Sequence, residues 1–372
     1  MRANNVLGLI FSNTYDHYLS ELTAMRSMGS VPYGGRYRLI DFQLSAMVNS
    51  GLGKVGIITK SNYQSLMDHV GGGRAWDLSR KKGGLCILPP FNTSTATAGG
   101  IYSGRIEAIA NAMDFITYSD EEDILMTDCN TLYNFDFAEM FRQHEKSGAD
   151  ITIAYANGAS PKIEELAAFE LDGDGRITGV SRINAGEEQN YSVNVFLMRK
   201  ALLERLINEA MSLGYRSFTM DILQKNVQRL KIFGYEAPGF VKVLDSMQSF
   251  FEANMALLDS DSRKALCLSQ PVYTKVKDDV PAIYGLNSEV SNSLVADGCV
   301  IEGKVENSVL FRGVHVGKGT TVKNCVLMQN TYIGDNVSLN CVMADKDVVI
   351  KPGKVLSGDK SFPVHIGKGI VI

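Results

Sequence analysis

Residues 301–342 read IEGKVENSVLFRGVHVGKGTTVKNCVLMQNTYIGDNVSLNCV, short aliphatic pieces separated by Gly, Asn and Asp. One fragment recurs in and around this stretch: Asn292-Ser293-Leu294, Asn307-Ser308-Val309, Asn324-Cys325-Val326 and Asn340-Cys341-Val342. Its aliphatic members lie 15, 17 and 16 residues apart. Between them aliphatics recur every six residues, as Val316 and Val322 or Ile333 and Leu339. Fixed periods of this kind signal stacked coils in which each coil buries one aliphatic per face. Val316-Gly317-Lys318-Gly319 and Ile333-Gly334-Asp335-Asn336 mark corners, where Gly and Asn accept tight backbone turns. The spacing predicts a parallel β-helix of hexapeptide type from about Leu286 onward. A β-sandwich would alternate apolar and polar residues more strictly.

Upstream the pattern changes. Apolar runs at Asn5–Phe11, Val55–Lys60, Ile124–Thr127, Ile151–Tyr155 and Val193–Met198 alternate with helically spaced segments such as Arg105–Phe115 and Ala138–Lys146. Short buried strands alternating with helices predict an α/β domain whose largely parallel sheet is covered on both faces. Ligands of such sheets bind beyond the carboxyl ends of the strands, so the loops there are the place to look for chemistry. The helical segment Gln248–Leu258 closes this domain. The expected organisation is therefore 1–258 as the α/β domain, 259–285 as a linker holding Pro271 and Pro281, and 286–372 as the β-helix.

Composition narrows the function. The 372 residues suit two domains. A net charge of -4 without a long basic run argues against nucleic acid as a partner, because phosphate backbones require clustered Lys and Arg. Apolar stretches fall short of the ~20 residues of a membrane helix, and the first apolar run reads as a buried strand rather than a leader. The six cysteines lack CxxC spacing and lie mostly in strand-like text, as expected of free thiols in a reducing cytoplasm. The five histidines are scattered, which speaks against a metal cluster built from them.

Three longer segments carry a resemblance. Val31–Leu52 (VPYGGRYRLIDFQLSAMVNSGL), Gly73–Pro90 (GRAWDLSRKKGGLCILPP) and Gly239–Leu258 (GFVKVLDSMQSFFEANMALL) resemble signature segments of the bacterial ADP-glucose pyrophosphorylase family. With the β-helix, the resemblance covers essentially the whole chain. It implies a Rossmann-like, GT-A-like nucleotidyltransferase domain followed by a left-handed parallel β-helix. The family's reaction joins ATP and glucose 1-phosphate into ADP-glucose and pyrophosphate, for glycogen biosynthesis.

That reaction is an in-line attack of one anion on the α-phosphorus of another. Catalysis is positioning plus charge neutralisation by Mg²⁺ and cationic side chains. The resemblance, carried residue by residue, finds those parts altered. The family loop GGxGxRL reads Asn13-Thr14-Tyr15-Asp16-His17-Tyr18-Leu19, without glycine and with Asp16 where phosphates should approach. The family lysine before the GG pair is Met28, while Arg36 and Arg38 remain, available for an anion or for pairing with Asp41. The family's metal-binding aspartate, in SGD, falls on Asn130. Asp128 lies two residues away, on the same side of an extended strand, and is a displaced candidate for that metal role. Asp221 retains the second carboxylate, that of FGKD, in Phe218-Thr219-Met220-Asp221, and would hold metal weakly alone or act as a helix-start acid. The Glu-Lys pair of FEEKP becomes Arg182 and Ile183, and Ile183 has no group for a phosphate. WKDVGT reads Val241-Lys242-Val243-Leu244-Asp245-Ser246, so another acid is gone while Lys242 stays. Tyr102, Gly104 and Ser192 persist, as binding residues or as packing and turn residues.

A scaffold retained while several catalytic parts are missing is similar to the GlgD-type, non-catalytic branch of the family. The resemblance then implies a regulatory subunit beside a catalytic GlgC-type subunit, in a heterotetramer, with Mg²⁺ serving the partner's reaction and no cofactor of its own. An anionic metabolite effector near the domain junction would follow by the same analogy. Two alternatives stay open at this point. One is a weak or altered nucleotidyltransferase using Asp128 and Asp221 for metal; the other is a sugar-phosphate or nucleotide sensor.

Overall fold

The aliphatic runs become strands, and the periodic segments between them become the helices that cover them. The computed structural model of the protein describes residues 3–90 and 102–372. Its strands β1 (Val6–Phe11), β2 (Lys54–Ile58), β3 (Gly84–Leu88) and β4 (Asp123–Asp128) lie side by side in the order β3-β2-β1-β4 and run parallel. All six residues of β1 and of β4 are buried, as strands covered on both faces must be.

The expectation of a largely parallel sheet holds for this half; in the other half, among the described residues, only Ile232–Glu236, beside Ile151–Ala159, pairs in parallel. A long strand, Glu188–Arg199, runs antiparallel to β4, placing Phe196 opposite Met126. Ile151–Ala159 pairs antiparallel with it, and the hairpin Ala167–Leu171/Ile177–Arg182 extends the same edge. Among the described residues the result is a nine-stranded mixed sheet. The sequence text could not show this, because a buried strand reads the same in either direction.

Helices α1 (Leu39–Asn49), α3 (Phe137–Ser147) and α5 (Met247–Ala256) cover one face; α2 (Arg105–Asn111) and α4 (Lys200–Leu213) cover the other. Their ends are fixed locally. The Asp136 carboxylate accepts the Ala138 N–H at 2.8 Å to start α3, and Gly148 in the left-handed region ends it. A short antiparallel pair beyond the sheet, Thr131–Tyr133 with Val241–Val243, sets Val243 opposite Thr131.

The region expected as a linker carries two helical turns, Ser260–Arg263 and Lys264–Leu268. The first β-helix strand, Ile283–Tyr284, starts three residues before the boundary drawn from the repeats. From there the chain winds as a left-handed parallel β-helix of three five-stranded sheets. The inward column Tyr284, Ile301, Val316, Ile333, Ile350 runs through one sheet in register.

Corner residues form their own column. Asn292, Asn307 and Asn324 adopt left-handed φ of 41°, 49° and 51°, and their amides chain together at 2.9 and 2.6 Å. The fourth repeat differs from its reading in the sequence. Val326 pairs with Met343, not Val342, so the coil is 17 residues and Cys341 (φ 51°) takes the corner that asparagine holds elsewhere. Asn340, one residue earlier, still joins the amide chain through Asn324 at 3.0 Å.

The two lobes share interior. Val309, Phe311, Val326, Met328 and Met343 belong to the same buried cluster as α1, α3 and α5. A buried ion pair adds to it: the Arg26 guanidinium donates to both Asp345 oxygens at 2.8 and 3.0 Å.

Candidate functional site

The carboxyl ends of β1 and β4 meet the start of α2, and here the loop after β1 decides what can enter. Asn13 uses its amide fully: its oxygen accepts the Lys60 N–H at 2.9 Å, and its nitrogen donates to the Ser61 carbonyl and to Asp16 at 3.1 and 2.6 Å. The second Asp16 oxygen accepts the Met28 N–H at 2.8 Å. A carboxylate of the protein itself thus engages a backbone donor beside the loop. Burial raises the Asp16 pKa to about 6, against the lowering effect of Asn13, the Met28 amide and Lys60. The Tyr18 hydroxyl ties the loop's far end to Glu165 at 2.8 Å.

On the other side Asp128 ends β4, fully buried and ion-paired with Arg105 at the start of α2. The Arg105 guanidinium lies over the rings of Phe11 (4.8 Å), Phe196 (5.1 Å) and Phe218 (5.9 Å). Burial pushes the Asp128 carboxyl up, while Arg105 and Thr14 hold it partly down. A guanidinium therefore already faces this carboxylate. Arg105 was not singled out from the sequence; an arginine opening a helical stretch reads as solvated, and only the topology brings it to Asp128. Asn194 was likewise missed. It sits at φ 60° where the pairing register shifts, and it donates to the Tyr15 hydroxyl at 3.0 Å.

Asn130 and Val243 come together. The short antiparallel pair that sets Val243 opposite Thr131 also lets the Asn130 carbonyl accept the Leu244 N–H at 2.7 Å. These two positions are the ones where the family segments SGD and WKDVGT would carry acids. Here one is a neutral amide, fully buried, both of whose polar atoms lack a partner among the described residues; the other is a buried valine. Magnesium needs hard oxygen donors, normally carboxylates. The residues present do not fit that ion, and the described residues include no group of three or more His, Cys, Asp or Glu able to hold a metal.

The remaining candidates disperse. Met28 is a core residue, 1% exposed. Tyr102 and Gly104 do line the strand-end cleft, with Lys60 5.9 Å above the Tyr102 ring. The main part of that cleft, about 470 Å³, is bordered by Asp16, His17, Lys60, Gly104 and Arg216. Ser192 is buried and accepts the Asn194 N–H at 3.0 Å. Asp221 accepts the N–H groups of Arg216 and Ser217 at 3.1 and 3.0 Å and pairs with Lys225 at 3.1 Å, as a helix-start acid does. Those contacts, the Ser217 amide foremost, lower its pKa. Arg182 is exposed at a strand end, and Ile183 packs against the core. Lys242 pairs with Glu252 at 3.3 Å in a separate cleft of about 310 Å³.

Arg36 and Arg38 lie away from the strand ends, toward the β-helix. A side chain at Gly35 would meet the Leu310 carbonyl of the β-helix, and the exposed Arg36 lies over the Tyr37 ring at 5.5 Å. The Arg38 side chain donates to the Ser65 carbonyl and hydroxyl at 2.6 and 2.9 Å, and only its backbone N–H reaches Asp41, at 2.9 Å. Asp41 is held by His69 at 2.5 Å.

Comparison with known proteins agrees with this architecture. Residues 9–188 match the nucleotidyl transferase family model, and residues 280–362 match the GlmU-like, C-terminal hexapeptide model. The chain is 37% identical over 371 residues to the glycogen biosynthesis protein GlgD of Bacillus subtilis, covering 99% of this chain and 97% of that one. Identity to the protein of the same name from Geobacillus stearothermophilus is 38% over 369 residues, with coverage of 99% and 97%. A glucose-1-phosphate adenylyltransferase of Clostridium perfringens is 32% identical over 385 residues, with coverage of 100% and 97%. Full-length likeness at this level, on a nucleotidyltransferase lobe joined to a hexapeptide β-helix, makes the chain a member of the glucose-1-phosphate adenylyltransferase (ADP-glucose pyrophosphorylase) family, on its GlgD side.

Proposed function

We propose that this chain serves glycogen synthesis as a regulatory subunit without transferase activity of its own, assembled with a catalytic GlgC-type subunit in a heterotetramer. The observation that carries the reading is the meeting of Asn130 and Val243 where two acids would be needed. Attack on the α-phosphorus builds negative charge that this pair cannot neutralise through a metal. Asp128, the displaced candidate, is committed to Arg105. The loop that would cradle a triphosphate with backbone N–H groups is instead tied to Asn13 and Asp16. Each lost oriented contact removes about 2.7–4 kcal/mol of transition-state stabilisation, so joint loss abolishes measurable turnover.

An anionic effector belongs to the same proposal, at the junction of the lobes. Lys346 lies there beside Arg38 and Arg26; burial, then those two cations, lower its pKa to about 7. With Arg26 already paired to Asp345, Arg38 and Lys346 are the cations left there to meet a phosphorylated metabolite.

The test is ADP-glucose synthesis with Mg²⁺, ATP and glucose 1-phosphate by this chain, by a catalytic subunit, and by the two mixed. The expected result is no product from this chain alone and a faster or differently regulated mixture. Metal-dependent turnover by the isolated chain overturns the proposal.

A further inference from the structure

At the strand ends, where a sheet of this kind takes its ligand, a side chain of the protein itself is seated. Tyr15, in the loop after β1, is 4% exposed. Its hydroxyl accepts the Asn194 amide N–H at 3.0 Å, and the Arg105 guanidinium neighbours the same oxygen. Asp128 lies beside it, fully buried. Tyr15, Arg105 and Asn194 all border the cleft of about 470 Å³, whereas Asp128 does not.

The placement of this one ring is costly. Asn194 holds a left-handed φ of 60° where the register of the long strand shifts between Ser192 and Val195. A bulge re-aims a side chain, and a non-glycine residue keeps such a backbone only where its surroundings over-determine it. The loop is moored on both sides of the ring. Asn13 holds Lys60 and Ser61, Asp16 accepts the Met28 N–H at 2.8 Å, and Tyr18 donates to Glu165 at 2.8 Å. Arg105, nine-tenths buried, still has one nitrogen, Nη1, without a partner among the described residues. An unpaired buried donor is a cost that a tyrosine serving only to fill the core does not explain.

We propose that Tyr15 is a built-in occupant of the strand-end crevice, a specificity-determining residue whose ring fills the room a nucleotide's phosphates would need and so keeps nucleotide out. Two separate losses then act at one place. Asn130 and Val243 remove the metal and with it turnover; Tyr15 removes the space. The inference opposes the nucleotide-sensor reading of the sequence. It concerns binding alone, so its failure is distinct from failure of the proposed regulatory role, which is read by turnover.

The experiment is isothermal titration calorimetry of ATP into the full-length chain and four variants, with circular dichroism melting to confirm that each is folded. Tyr15→Ser removes the ring and keeps a hydroxyl for Asn194. Tyr15→Leu is a milder trim that keeps the test if the serine variant does not fold. Tyr15→Phe retains the ring, and Tyr18→Ala cuts the mooring to Glu165 while leaving Tyr15 in place. The expected result is no binding by the wild type, Tyr15→Phe or Tyr18→Ala. Tyr15→Ser and Tyr15→Leu bind ATP in a 1:1 ratio, at least roughly 10-fold tighter than the wild type. ATP binding by the wild type overturns the proposal, as do trimmed variants that bind no tighter than the wild type. A gain in Tyr15→Phe or Tyr18→Ala equal to that of the trimmed variants also overturns it, because the barrier is then the hydroxyl or the mooring and not the ring.

Discussion

The strand-end cleft and the β-helix were built from opposite materials. In the cleft, charged groups of the protein neutralise one another: Arg105 against Asp128, and Asp16 against backbone and amide donors. In the β-helix, asparagine recurs at three successive corners of one column, and stability comes from register. The cleft is organised by a few particular contacts, while the buried Asn130 amide has no partner among the described residues. The β-helix is a scaffold in which each rung repeats the last. Substitutions should therefore act sharply and individually in the first and mildly in the second.

The largest effect should come from Arg105→Met. It leaves the Asp128 carboxylate buried without its partner, and unfolding free energy measured in denaturant should fall by about 3–5 kcal/mol. Arg105→Met/Asp128→Leu should recover most of that loss, because replacing both charges by apolar groups removes the desolvation penalty. A single variant as stable as the wild type would mean the pair is not the organiser of the cleft.

Asp16 gives the next effect, seen in pH. Its folded pKa of about 6 stands above the ordinary 3.8, so the folded state holds the proton more tightly than the unfolded one. Stability should therefore fall as pH rises from about 4 to about 6 and then level off, with about 3 kcal/mol as the scale of this single-group contribution. Asp16→Asn should remove that part of the slope, as read from denaturation midpoints across the same range.

The coil corner sharpens the comparison from the other side. Cys341 adopts a left-handed backbone without the asparagine or glycine that eases it elsewhere. Cys341→Gly should raise stability by about 1 kcal/mol, measured by thermal unfolding. Smallest of all, Lys242→Ala removes a surface pair with Glu252 and should change stability by less than about 0.5 kcal/mol.

Much of this was open to a reader of the sequence, and the reason is periodicity. Asn and Gly at fixed intervals fix the coils, and short aliphatic runs fix the strands. The one-residue slip at Asn340-Cys341 was not legible, since a motif match weighs residue identity while the coil obeys backbone register. The meeting of Asn130 and Val243 was half legible: each substitution stood out, but only strand pairing makes them neighbours. Arg105 gave no signal, because its meaning lies in a buried contact with a residue 23 positions later. Asp16 could be flagged as misplaced charge, though not as an acceptor for the Met28 amide.

Phe311 and Met328 sit in the β-helix yet are packed in the interior of the first lobe, and Arg26 grips Asp345 across the same seam. A close-packed seam transmits displacement rather than absorbing it. The molecule thus behaves as a strut: tilt imposed where the coils end is delivered to the strand ends as rotation of the whole body. What a neighbouring subunit would feel is a change of angle.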